Sequence, residues 1–144
     1  MRFAGRVLFI TGAGSGLGRA TARLFAAEGA KVFGVDVNGA GVAATVETIR
    51  RAGGVADSAV CDVGSMAAVR AAVGLAVAAF GGIDILVNAA GIGRAARLEE
   101  IEEDEWQRVL TVNLTGASRT RSSIGWRAGR RTRWRRSASK RASG

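Results

Sequence analysis

The chain has 144 residues, 48% of them hydrophobic and 23% charged, which is the size and composition of one globular domain. The 21 basic and 12 acidic side chains give a formal charge of +9, and the chain contains no His, no Pro and no Tyr, which excludes a histidine base, a histidine metal ligand or a tyrosine acid. One cysteine, Cys61, excludes an internal disulfide, and the longest early apolar run, residues 7–10, is too short for a signal-peptide core or a membrane span, so a cytoplasmic protein is expected.

Val7-Leu8-Phe9-Ile10 is a continuous apolar run ending at Thr11-Gly12, the pattern of a strand buried on both faces. Leu17, Ala20, Thr21, Leu24 and Phe25 follow at helical spacing, and Gly29 ends that helix. Residues 31–36 read as a second strand. Val42, Thr45, Val46 and Ile49 mark one face of a second helix, closed by Gly53-Gly54. Residues 55–61 form a weaker third strand. Met66, Val69, Val73, Val77 and Phe80 mark a third helix with Ser65 as its cap. Residues 83–87 form a fourth strand, and a last helix runs from about Asp104 through Trp106 and Leu110. Such alternation predicts an α/β fold, a doubly wound parallel sheet with right-handed crossovers. Ligands on such a sheet bind at the carboxyl ends of the strands, where Gly12, Asp36, Asp62 and Asn88 all fall.

Charge divides the chain. Residues 1–118 carry 11 basic and 12 acidic side chains, whereas residues 119–144 carry 10 basic and no acidic ones. The second segment shows no sustained period, with Ile124, Trp126 and Trp134 isolated among arginines, so it is expected to be a disordered basic tail. The expected organisation is a folded domain over 1–118 and an arginine-rich tail over 119–144. The abrupt switch points to a truncated or frameshifted reading frame.

The first strand–helix turn reads TGAGSGLG over residues 11–18. The G-x-G-x-x-G fingerprint fails, because its third glycine would fall at Leu17 or Arg19. The run fits T-G-x-x-x-G-x-G instead, with Gly12, Gly16 and Gly18. Glycine there permits a tight turn and lets backbone N–H groups approach a pyrophosphate at a helix N-terminus. Asp36 ends the second strand. A carboxylate at that place accepts hydrogen bonds from ribose hydroxyls and repels a 2′-phosphate, and residues 37–40 hold no Arg to offset it, so NAD is expected over NADP.

With these residues the sequence resembles the short-chain dehydrogenase/reductase family: TGAGSGLG at 11–18, Asp36, Cys61-Asp62-Val63, Asn88-Ala89-Ala90-Gly91 and Val112-Asn113 stand in the family's order and spacing. The resemblance implies a Rossmann-like sheet, here truncated after about four strands. It implies that Gly12, Ser15, Gly16 and Leu17 line the pyrophosphate, with Gly18 in the same cofactor-binding loop, and that Asp62 and Val63 contact the adenine. Asn88, Ala89 and Gly91 would support the central strand and pass beside the riboses. Asn113 resembles the family's catalytic Asn at a helix kink. Ser123, Arg136 and Lys140 stand at the family's Ser, Tyr and Lys spacing, which makes Ser123 and Lys140 the remaining catalytic candidates. Arg136 cannot replace the Tyr, since a guanidinium holds its proton at neutral pH.

The resemblance implies an NAD-dependent oxidoreductase acting on a small alcohol or carbonyl substrate, incomplete as this chain alone, and a possible homo-oligomer. The alternatives are a non-catalytic NAD-binding module, and a protein that binds nucleic acid through ten basic residues and two Trp of the tail.

Overall fold

The computed structural model describes residues 1–93 and 97–125. The first apolar run forms β1 (Val7–Thr11), every residue of which is buried. It lies inside a parallel sheet completed by β2 (Lys31–Asp36), β3 (Val55–Val60) and β4 (Ile85–Asn88), in the order β3-β2-β1-β4. The register sets Phe9 opposite Phe33 and Leu86, and Thr11 opposite Val35 and Asn88.

Both faces of β1 are apolar because helices cover both. Successive strand side chains point to opposite faces, so Leu8 and Ile10 pack with Ala22, Val42 and Ile49 on one side, while Val7 and Phe9 pack with Val69, Val73 and Val77 on the other. The first layer comes from α1 (Gly16–Ala27) and α2 (Gly39–Arg51), the second from α3 (Met66–Phe80). Phe33 stacks on Phe9 with ring centroids 5.8 Å apart and meets Phe80 edge-on at 6.3 Å. Asn38 caps α2 by accepting from the Gly41 N–H at 2.9 Å, and the Ser65 hydroxyl caps α3 by accepting from the Ala68 N–H at 3.3 Å.

The C-terminal region differs from expectation. α4 (Glu103–Leu110) continues through a π-helical turn, Thr111–Thr115, into α5 (Gly116–Ser123). The charge boundary at Ser118 therefore falls inside a helix. Ile124, isolated in the sequence, is 1% exposed and belongs to the cluster of Phe9 and Val77. The other buried members of that cluster all lie more than 40 residues earlier in the chain, so no local period could reveal them. Thr120 is also fully buried, its hydroxyl donating to the Gly116 carbonyl at 2.9 Å. The remainder of the expected tail, with Trp126, Trp134, Arg136 and Lys140, lies outside the described residues. Among the described residues no helix is long and apolar enough to cross a membrane.

Candidate functional site

All four strands point the same way, so their carboxyl ends share one edge of the sheet. A cleft of about 680 Å³ opens there, within the range of small-molecule sites. Four strand-end loops and one helix face build it.

The β1–α1 loop forms the floor. Gly12 has φ +69°, and a Cβ on it would stand 2.6 Å from the Ala89 carbonyl oxygen. A Cβ on Gly18 would stand 2.0 Å from the Gly12 carbonyl oxygen, so only glycine lets α1 seat on the loop. Gly16, at φ +47°, meets nothing within 4 Å; its backbone is bare on the cleft. Ser15 starts α1 without a side-chain cap, and the first turn holds no acidic residue. The leading N–H donors are thus left without a side-chain acceptor, and they favour an anion. Ser15 and the exposed Leu17 complete this wall.

From behind, the loop is held by residues that motif reading missed. Arg19 donates through Nη2 to the Gly14 carbonyl and through Nε to the Thr45 hydroxyl at 3.2 Å, and that hydroxyl donates to the Ala13 carbonyl at 2.8 Å. A threonine on the apolar face of α2 was the available signal.

Asp36 stands beside the loop. Its Oδ2 accepts from the Gly14 N–H at 2.8 Å and its Oδ1 from the Asn38 N–H at 2.9 Å. A carboxylate offers about four acceptor sites, so each oxygen retains capacity toward the cleft. A Cβ on Gly14 would lie 2.8 Å from the Asp36 carboxyl carbon, which accounts for glycine there.

At the β3 end, Asp62 Oδ1 accepts from the Gly64 N–H at 2.8 Å; it shapes the loop, while the helix cap is Ser65. Val63 is buried beneath the cleft wall. Cys61 is 3% exposed, and burial, with the Asp62 carboxylate second, pushes its thiol up to about 11. At neutral pH it is a protonated, apolar wall group.

At the β4 end, the Thr11 hydroxyl accepts from the Ala89 and Ala90 N–H groups at 3.2 and 3.1 Å. Ala89 and Gly91 line the cleft, while Asn88 lies outside its lining. Asn88 ends β4 opposite Thr11. Among the described residues its side chain makes no hydrogen bond, and Thr11 ties the strand ends.

The facing wall is helical: Gln107, Arg108, Thr111 and Val112. None was singled out from sequence as a wall residue, although their i, i+3, i+4 spacing ahead of Asn113 is the face of one helix. Asn113 sits in the π-helical turn behind this wall. Its Nδ2 donates to the Ile92 carbonyl and its Oδ1 accepts from the Ile92 N–H, both at 2.9 Å.

Ser123 is not brought to Asn113. Ten residues of helix separate them by about 15 Å, and the Ser123 hydroxyl lies 3.6 Å from Met66 Sδ in a different groove, between α3 and α5. Lys140 lies outside the described residues.

A short chain dehydrogenase family model matches residues 6–124. The chain is 49% identical over 119 residues to the short-chain reductase protein NovJ of Streptomyces niveus, covering 83% of this chain and 45% of that protein. It is 39% identical over 126 residues to D-threitol dehydrogenase of Mycolicibacterium smegmatis, covering 88% and 48%. Among solved structures, hydroxysteroid dehydrogenase from Escherichia coli superposes with a TM-score of 0.82 at 31% identity, covering 85% of this chain and 52% of that one. A dehydrogenase/reductase from Sinorhizobium meliloti 1021 does so with 0.81 at 38% identity, covering 85% and 49%. The chain spans about half the length of the curated relatives it matches.

Proposed function

This chain belongs to the short-chain dehydrogenase family, whose cofactors are nicotinamide dinucleotides and whose substrates are small molecules, and on that premise we propose that its cleft binds NAD. One observation carries the reading: the Asp36 carboxylate is fixed by the Gly14 N–H at 2.8 Å beside the bare glycine loop. A diol-accepting anion thereby stands next to an anion-accepting helix end. Both features fit an adenosine ribose joined to a pyrophosphate. Asp36 disfavours a 2′-phosphate by like charge, and residues 37–40 supply no Arg against it.

In this reading the N–H groups of Ser15, Gly16, Leu17 and Gly18 hold the pyrophosphate. Asp36 accepts from the ribose, and Asp62 and Val63 meet the adenine. Ala89 and Gly91 run beside the riboses. Asn113, through Ile92, keeps the β4 loop in place. The bound nicotinamide supplies hydride exchange with an alcohol or carbonyl carbon. The residue that exchanges a proton with the substrate oxygen is a Tyr in the family, and this sequence contains none. Loss of general acid–base catalysis costs about 10²–10⁴ in rate. With turnover cut by at least that factor, the chain on its own acts as a dinucleotide binder.

The test is absorbance in the NADH band for the 144-residue chain with NAD and a panel of secondary alcohols. The expected result is no change, beside saturable NAD binding. Turnover that co-purifies with the chain and vanishes in Asn113→Ala overturns the reading.

A further inference from the structure

We propose that Arg119 is a positioning residue for the adenosine end of the cleft, acting through the backbone of Gly64. The proposal rests on the reading that Asp62 and Val63 meet the adenine.

Gly64 is the knot of the β3–α3 loop. Its N–H donates to Asp62 Oδ1 at 2.8 Å, and its carbonyl accepts from Arg119 Nη1. A Cβ on Gly64 would lie 2.9 Å from Asp62 Oδ1 and 3.4 Å from Thr111 Cγ2, so the loop is pressed between its own carboxylate and the helical wall. Arg119 sets the plane of the peptide that follows Gly64 from one side, while Asp62 holds the preceding one. Turning either moves the Asp62 carboxylate and the edge of Val63.

The same helix face repeats this action. Asn113, Gly116 and Arg119 stand three residues apart, a spacing that keeps side chains on neighbouring positions of one face. Asn113 pairs with the Ile92 backbone. Gly116 lets α5 seat directly on Val63, since a Cβ there would stand 2.7 Å from Val63 Cγ2. Arg119 takes the Gly64 carbonyl. One helix thus grips two of the four strand-end loops. The bland alternative for an arginine in a basic segment is a solvated charge. Arg121, exposed and without a partner among the described residues, is such a charge; Arg119 is half-buried, and its hydrogen bond goes to a cleft loop.

The experiment is calorimetric titration of the full chain with 5′-AMP and with NAD, alongside thermal melting. A hydrogen bond from a charged donor that fixes the loop predicts that Arg119→Ala weakens both ligands by about fivefold to tenfold. Arg119→Lys, which keeps a charged donor, recovers most of that loss. Arg121→Ala removes the same charge two residues further along α5, away from the loop, and stays within about twofold of the starting chain. Should Arg119→Ala not fold, Arg119→Met keeps the packing of the stem without the donors and takes its place. AMP affinity unchanged in the folded Arg119 variant overturns the proposal, as does an equal loss in Arg121→Ala. A starting chain that binds neither AMP nor NAD overturns the cofactor reading itself; one that binds both, matched by Arg119→Ala, overturns only the role of Arg119.

Discussion

Asn113 and Ile92 form a closed two-point pair, with side-chain Nδ2 to backbone carbonyl and backbone N–H to side-chain Oδ1 both at 2.9 Å. The pair joins the π-helical turn to the loop after β4, immediately beyond Gly91 of the cleft. Asn113→Ala frees both Ile92 groups to water, at about 1 kcal/mol of stability, and releases the loop. The expected outcome is a small fall in melting temperature with a clear loss of NAD affinity. Asn113→Asp is worse, because a carboxylate oxygen then faces the Ile92 carbonyl. Melting and NAD affinity unchanged in both variants would contradict this role.

Gly16 and Gly18 separate binding from folding. Gly16 has empty space around it and φ +47°, so a side chain there meets backbone strain of about 1–3 kcal/mol and fills the approach to the helix N-terminus. Gly16→Val is expected to abolish nucleotide binding while far-UV circular dichroism stays close to the starting chain. Gly18 has no such space: its Cβ would stand 2.0 Å from the Gly12 carbonyl oxygen. Gly18→Val is therefore expected to unseat α1 and lower the melting temperature sharply. Binding retained within about twofold in Gly16→Val removes the loop as the phosphate site.

Cys61 predicts a pH dependence. Burial, and secondarily Asp62, raise its thiol from 9.0 to about 11 in the folded chain. The native state then keeps a proton that the unfolded chain gives up. The associated stability is fully present below about pH 9 and is lost as pH rises through about 11. Melting curves across this interval should fall more steeply for the starting chain than for Cys61→Ala. Parallel curves for the two proteins would show that the thiol carries no such linkage.

The sheet was legible because its signals are local. Residues 7–10 are apolar without a break, and β1 is buried on both faces. Gly12, Asp36, Asp62 and Asn88 sit where strand–helix alternation places strand ends, and the first three line the cleft. What escaped the sequence were contacts between residues far apart in the chain. Thr11 with Ala89, Arg19 with Thr45, and Arg119 with Gly64 carry no spacing rule. Ile124 escaped for the same reason: a single apolar residue gives no period, and only the assembled cluster around Phe9 and Val77 shows why it is buried. The charge boundary at 118 falls inside α5, because charge reports solvation of side chains and the helix runs on through Arg119 and Arg121.

The most direct measurement is the affinity of the full chain for NAD against NADP, repeated with Asp36→Ala. In the proposed reading the carboxylate, fixed by Gly14 at 2.8 Å, accepts from a free ribose diol and repels a 2′-phosphate. The predicted result is tighter binding of NAD, with the preference shrinking in Asp36→Ala mainly through weaker NAD binding. Equal affinity of the starting chain for the two cofactors, or a preference that survives removal of the carboxylate, would contradict the account.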